Sequence, residues 1–268
     1  MIGSDKAIER EIRKLHSVQL GGVFVATEGR QALAERCIAD CRMVRNGERS
    51  TKLVFDMNGH GLAMYHSYQD FRDLVDQADI IHADGGFLIT ASKKLCAEPI
   101  KERSATTDMI HDLAAACSKA GLSFYLLGGT REVNSACVLE LERLYPELKI
   151  VGARDGYFTP SEQDAVIDAI ASTKPDVVWV GMGKPREQAF AVAARDRLGC
   201  GWIITCGGCY NYITGAYPRA PQWMQNNNLE WLHRVVTNPR ALLWRYLWTT
   251  PYALWLAFRH SSKATRNV

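Results

Sequence analysis

No Asp-x-Asp pair occurs anywhere in the chain, so the paired carboxylates that commonly hold a divalent ion on a diphosphate are missing. The dinucleotide fingerprint G-x-G-x-x-G is absent, and no turn completes the G-x-x-x-x-G-K-[ST] phosphate loop. A nicotinamide-dependent oxidoreductase needs that fingerprint and a ribose-binding acid after it, so this class is disfavoured. Neither sign of charge dominates. Lysine and arginine number 32 against 29 acids, a formal net charge of +3, too little to mark a nucleic-acid binder by bulk. Glycine (21) and proline (9) are at ordinary levels for 268 residues, which excludes a collagen-like repeat or a flexible linker protein. The opening segment, MIGSDKAIEREIRKLH, has no apolar core of the signal-peptide kind. With eight scattered cysteines, it reads as belonging to a reduced, cytoplasmic setting.

Only Cys206-Gly-Gly-Cys209 has a spacing that suggests redox or metal chemistry, and zinc would need two further ligands at comparable spacing, which do not occur. Ordinary buried thiols are the simpler reading, with a redox pair as the alternative.

What is present is an alternation. Short apolar runs rich in β-branched residues, at 22–26, 52–55, 80–82, 123–127, 150–153, 177–180 and 202–205, predict strands. Stretches of helical periodicity at 87–95, 105–119, 131–145, 161–172 and 186–198 lie between them. This pattern predicts an α/β fold, Rossmann-like, with a mostly parallel sheet flanked by helices. In such sheets the ligand sits beyond the carboxyl ends of the strands, so the turns there are where chemistry is sought.

The turn Ala83-Asp84-Gly85-Gly86 puts a carboxylate at a strand end beside glycines that let a substrate approach the backbone. Asp84 is thus a candidate general base, or else a cap for the helix at 87–95. A second strand-end cluster, Phe55-Asp56-Met57-Asn58-Gly59-His60, carries polar groups able to bind a sugar or a base, although Asx and Gly are also ordinary turn formers. Leu127-Gly128-Gly129-Thr130 and Val180-Gly181-Met182-Gly183-Lys184-Pro185 each join a strand to a helix, where free amides could hold a phosphate. With no metal motif, Arg103 and the arginines of the C-terminal part are the available cations for a diphosphate.

The last quarter of the chain differs. From Arg219 onward seven lysines and arginines stand against one acid, Glu230, and five of the seven tryptophans (Trp223, Trp231, Trp244, Trp248 and Trp255) fall there. Basic charge and interface-seeking aromatics coincide, as on a surface meant for an anionic membrane. Helices are expected at about 222–236 and 240–259, and no strand signal returns after Gly215. The run 241–258 is borderline in length for a membrane span and contains Pro251. It reads as a span, as an amphipathic segment on a membrane or over the active site, or as a core helix. Two units are expected: a catalytic core at 1–215 and a basic, Trp-rich helical appendage at 216–268.

Together these pieces resemble the WecG/TagA/CpsF family of bacterial glycosyltransferases, in order over about 52–246. The residues that carry the resemblance begin with Ala83-Asp84-Gly85-Gly86, Ala91-Ser92, Pro99-Ile-Lys-Glu-Arg103 with Asp108, and Tyr125-Leu-Leu-Gly-Gly129. They continue through Gly152-Ala-Arg-Asp-Gly-Tyr157-Phe158, Gly181-Met-Gly-Lys-Pro185, Arg219-Ala-Pro221-Gln-Trp-Met224, Leu229-Glu-Trp231-Leu-His-Arg234 and Asn238-Pro239-Arg240. The resemblance implies an inverting, metal-independent and cofactor-free transferase. It would move a sugar from a UDP-sugar onto a polyprenyl-diphosphate-linked sugar, peripherally bound at the inner face of the bacterial plasma membrane. Asp84 matches the family's proposed base, Asn58 its active-site asparagine and Arg103 its active-site arginine. Asp56, Gly85, Gly128, Gly129, Gly183, Pro185, Glu187 and Gln188 fall in its substrate-binding segments. Arg219, Arg234, Arg240 and Arg245 are expected on the diphosphate or the lipid acceptor. Where the family usually reads Gly-x-Pro-x-Gln-Glu this chain has Gly183-Lys-Pro185-Arg-Glu187-Gln188, and Asp56 stands where threonine is common. No nucleic-acid partner is implied, and association into a homo-oligomer is left open. The alternatives are a non-catalytic, membrane-associated scaffold of the same fold and a Rossmann-type nucleotide-dependent enzyme of another class.

Overall fold

The computed structural model describes residues 15–226, 229–237 and 239–267; for Asn226, Arg240, Ala241, Leu242, Trp244, Arg245 and Tyr246 only the backbone is described. The opening segment read for an apolar leader thus falls, up to residue 14, outside the described residues.

A hairpin, β1 (His16–Leu20) and β2 (Val23–Ala26), leads into helix α1 (Arg30–Arg45). Strand β3 (Lys52–Met57) runs into α2 (Gly59–Ser67) and α3 (Gln69–Val75), and β4 (Ile80–Ala83) into α4 (Gly86–Leu95) and α5 (Thr106–Ala120). Then come β5 (Ser123–Gly128), α6 (Arg131–Leu144), β6 (Lys149–Arg154), α7 (Gln163–Ser172), β7 (Val177–Gly181), α8 (Arg186–Leu198) and β8 (Trp202–Thr205). The chain closes with α9 (Cys209–Ile213), α10 (Gln222–Asn226), α11 (Glu230–Thr237), α12 (Pro239–His260) and β9 (Thr265–Asn267).

Six strands form one parallel sheet in the order β4-β3-β8-β7-β5-β6. Its central strands are apolar at nearly every position because helices cover both faces. In β7 successive side chains alternate: Trp179 packs with Phe124, Trp202 and Ile204 against α1, α5 and α6, while Val178 and Val180 pack with Leu53, Phe55 and Ile203 against α7 and α8. All of these side chains are buried.

The run at 22–26 is not part of this sheet. It forms β2, which pairs antiparallel with β1, and β1 pairs on its other side with β9. A strand does return after Gly215, contrary to expectation. Thr265–Asn267 is short, polar and exposed, so it lacks the apolar alternation that marks a strand in sequence, and its partner lies at the other end of the chain. The stretch expected as one helix at 222–236 is divided into α10 and α11.

In α12, Ala253, Leu256 and Ala257 recur at i, i+3 and i+4 and are buried among Val18, Leu20, Leu62 and Tyr65. The opposite face leaves Trp248, Trp255 and Phe258 exposed. Among the described residues no helix is long and apolar enough to cross a membrane.

Candidate active site

Parallel pairing brings Asp56 opposite His82 and Met57 opposite Ala83, so the chain leaves β3 and β4 side by side and Asn58 meets Asp84. A Cβ on Gly85 would stand 3.0 Å from that of Asn58, so the two turns touch because residue 85 carries no side chain. Asn58 caps α2: its Oδ1 accepts from the Gly61 amide at 3.0 Å, while its Nδ2 donates to Asp84 Oδ2 at 3.4 Å. Asp84 does not cap the helix that follows it. Its Oδ1 accepts from the amide (3.0 Å) and hydroxyl (3.4 Å) of Thr106, the first residue of α5, and Gly85 is the N-cap of α4. Burial works to raise the Asp84 carboxyl, but the Arg234 charge, the Thr106 amide and Lys184 outweigh it and hold the group below its ordinary value. Asp84 is therefore ionised at neutral pH, with Oδ2 the less engaged oxygen.

Beneath this pair lies a buried cluster of charge. Lys184 forms an ion pair with Asp56 and stands 3.7 Å from Glu187 Oε1. Asp56 also accepts from the Thr205 hydroxyl at 2.9 Å. Burial alone would lower the Lys184 amine, but Asp56, Glu187 and Asp84 keep it above its ordinary value. Glu187 is fully buried, and this pushes its carboxyl up to about 7 despite Lys184 and the amides it binds. Its Oε2 accepts from Gly183 N at 3.0 Å and Gly207 N at 2.9 Å, tying together the turns after β7 and β8. Gln188, also buried, donates to Glu187 Oε1 at 3.4 Å. Glu187, expected in a substrate-binding segment, thus lies under the loops, bonded to their backbone.

His82 is wholly buried beside Asp56 and Asp84. Its Nδ1 lies 2.8 Å from the Ser104 carbonyl, which can only accept, so Nδ1 carries the proton; Nε2 has no hydrogen-bond partner among the described residues. Burial keeps the ring below its ordinary value and hence neutral.

The glycine turns are closely packed. Gly128 has φ +135°, and a Cβ there would come within 2.2 Å of the Gly181 carbonyl oxygen. The Gly129 amide donates to that carbonyl at 3.0 Å, and the Gly183 amide is taken by Glu187, so both amides are already engaged within the protein. Pro185 follows a cis peptide bond at the start of α8. Cys206 and Cys209 are free and buried, and burial raises the Cys206 thiol, which removes the ready thiolate that redox exchange needs.

The second part of the site comes from the tail. Arg103, 14% exposed, donates from Nη1 to Glu230 Oε2 at 2.6 Å and lies 3.6 Å from Asp108. The other Glu230 oxygen accepts from Arg234 Nη2 at 2.8 Å. Arg234 stacks on the Tyr212 ring, 4.8 Å from its centroid. Burial works against the Arg234 charge, but Tyr212, Glu230 and Asp84 raise its pKa overall. Arg219 pairs with Asp108, which Arg30 also reaches at 3.2 Å. The structure thus brings Asp56, Asn58, Asp84, Arg103 and Arg234 around the ends of β3 and β4 and fixes Arg219 to α5. The side chains of Arg240 and Arg245 lie outside the described residues.

Lys184, His82, Thr106 and Glu230 were not picked out by sequence reasoning. Two of them carried a signal: Lys184 stands inside the quoted glycine turn, and Glu230 is the one acid in a basic tail. Among the described residues no group of three or more His, Cys, Asp or Glu could hold a metal ion. A comparison with protein-family models matches residues 20–267 to the one described as "Glycosyl transferase WecG/TagA/CpsF family".

Proposed function

The chain belongs to the WecG/TagA/CpsF family of glycosyltransferases, and from that premise we propose that it transfers a hexosyl or N-acetylhexosaminyl group from a UDP-sugar. The acceptor is a polyprenyl-diphosphate-linked sugar, and the product serves a bacterial surface polysaccharide or cell-wall polymer. The observation that carries this reading is the ionised Asp84 at the end of β4, with Oδ1 fixed by Thr106 and Oδ2 turned to Asn58.

The step is a single displacement with inversion. The acceptor hydroxyl gives its proton to Asp84 Oδ2 as its oxygen bonds to the anomeric carbon, and UDP leaves with the electron pair of the broken bond. Charge grows on the leaving diphosphate. Arg103 and Arg234, joined through Glu230, are the cations assigned to meet it, as fixed donors do where charge develops. Asp56, Glu187 and Gln188 support the turns from below, and Gly85, Gly128, Gly129, Gly183 and Pro185 shape the floor on which the donor rests.

In this reading residues 1–215 form the catalytic core and 216–268 an appendage that closes over the strand ends. The exposed Trp248, Trp255 and Phe258, in a tail rich in arginine, support peripheral docking on an anionic membrane at its cytoplasmic face. Arg240 and Arg245 add to the positive charge that the tail carries in sequence.

The test is transfer by the purified protein from a panel of UDP-sugars to a short-chain diphosphate-linked acceptor, with the product's anomeric configuration read by NMR. Release of UDP with an inverted product, undiminished in EDTA, supports the reading. No transfer from any UDP-sugar contradicts the donor assignment, a retained configuration contradicts the displacement, and a strict magnesium or manganese requirement contradicts the role given to the arginines.

A further inference from the structure

Arg103 belongs to the segment between α4 and α5, and Arg234 to α11 of the tail, yet one buried carboxylate joins them. Glu230 uses a different oxygen for each: Oε2 for Arg103 Nη1 at 2.6 Å and Oε1 for Arg234 Nη2 at 2.8 Å. Each guanidinium spends one terminal nitrogen on this bridge and keeps the other donors of its fork. Each is also steadied from a second side, Arg103 by Asp108 at 3.6 Å and Arg234 by the Tyr212 ring. The arrangement lies beside Asp84, whose carboxylate feels the Arg234 charge.

We propose that Glu230 is a positioning residue: it sets Arg103 and Arg234 as a pair at the spacing needed to grip a diphosphate, and so makes docking of the tail a condition for binding the donor. The proposal rests on the reading that these arginines meet the donor's diphosphate. Two partly buried cations without a carboxylate between them repel one another and lose their partner, so each would leave its place. Simple electrostatics predicts the opposite outcome. Removing a negative charge from a cationic site should tighten anion binding, because Glu230 competes with the anion for the same arginines. The sign of the effect separates the two accounts.

The experiment measures, by calorimetry on the full chain, binding of inorganic pyrophosphate and of UDP to the wild type, Glu230→Gln and Glu230→Asp, with melting temperatures alongside. Glu230→Gln offers one acceptor instead of two and turns an NH2 toward the other arginine; pyrophosphate binding should weaken about tenfold, the size expected for losing a charge-assisted hydrogen bond. Glu230→Asp keeps the charge one methylene shorter and should recover part of that loss. In turnover, the donor KM should rise in Glu230→Gln by more than kcat falls. Unchanged or tighter pyrophosphate binding in Glu230→Gln overturns the proposal. If that variant does not fold, Glu230→Asp decides: weaker binding supports the role, and wild-type or tighter binding overturns it. A wild type that binds pyrophosphate but no uridine nucleotide removes the UDP-sugar reading and leaves this inference standing; one that binds neither overturns both.

Discussion

The two parts of the site are built by opposite means. The strand-end part is saturated from within: Asp56, Lys184 and Glu187 neutralise one another below the surface, and the Gly129 and Gly183 amides are bonded to other protein groups. The tail part gathers cations around Glu230 and Asp108 and presents large aromatic side chains outward. The first can fix the position of Asp84 but has little left with which to bind an anion. The second can bind an anion or a surface, and it is tied to the core beside Asp84 by Glu230 and the Arg219–Asp108 pair as well as by the packing of α12 on α2. On the proposed reading the tail supplies the charge that catalysis needs, and the core supplies rigidity.

Breaking the tail part at its centre should have the larger effect. Arg234→Ala removes a cation from beside the leaving group and should lower kcat by about 10²-fold or more, the size seen when one fixed donor to developing charge is lost. A fall of less than a few-fold on a short-chain acceptor would place transition-state stabilisation elsewhere.

The core part is probed through Glu187. Its carboxyl keeps its proton up to about 7 in the folded protein, while an unfolded glutamate releases it near 4.5. The stability this group contributes is full below about 4.5 and is lost as pH rises through 7. Asp84 and Glu230, held below their ordinary values, act in the reverse sense and contribute above the unfolded value. Glu187→Gln cannot ionise, and it restores the amide common in the family. Compared with the wild type in denaturant unfolding, the variant should gain on the order of 2 kcal/mol between pH 5 and pH 8. The same difference at both pH values would show that Glu187 is not held protonated.

The smallest effect is expected at the outer face of α12. Replacing Trp248 and Phe258 together by serine should weaken binding to vesicles containing anionic lipid by about tenfold, since each ring would bury only part of its surface in the headgroups. Turnover on a soluble short-chain acceptor should be unaffected. Unaltered vesicle binding would move the membrane contact away from this face.

Five strands of the parallel sheet were legible because strands buried on both faces are written as nearly continuous apolar runs, the edge strand β6 because of its short apolar stretch, and Asp84 and Asn58 because they directly follow β4 and β3. The small sheet was not, since β1 and β9 acquire their meaning only from pairing across almost the whole chain. The same holds for the buried charges. Lys184, His82 and Glu230 look like surface residues in sequence; their burial and their partners Asp56, Ser104 and Arg103 are set by distances that a sequence does not contain. Glu187 was expected in a substrate-binding segment through the resemblance, and its carboxylate is found bonded to the Gly183 and Gly207 amides beneath the turns. The position of the strand-end carboxylate was therefore more legible than the electrostatic framework around it.

The central claim, that the Asp84 carboxylate takes the acceptor's proton, is tested most directly by Asp84→Asn. The amide keeps the size of the group and can accept from Thr106, so the variant should fold and bind UDP as the wild type does. Its kcat should fall by about 10²–10⁴-fold, the usual contribution of a general base. A variant that binds UDP normally and keeps more than about a tenth of wild-type kcat would contradict the account.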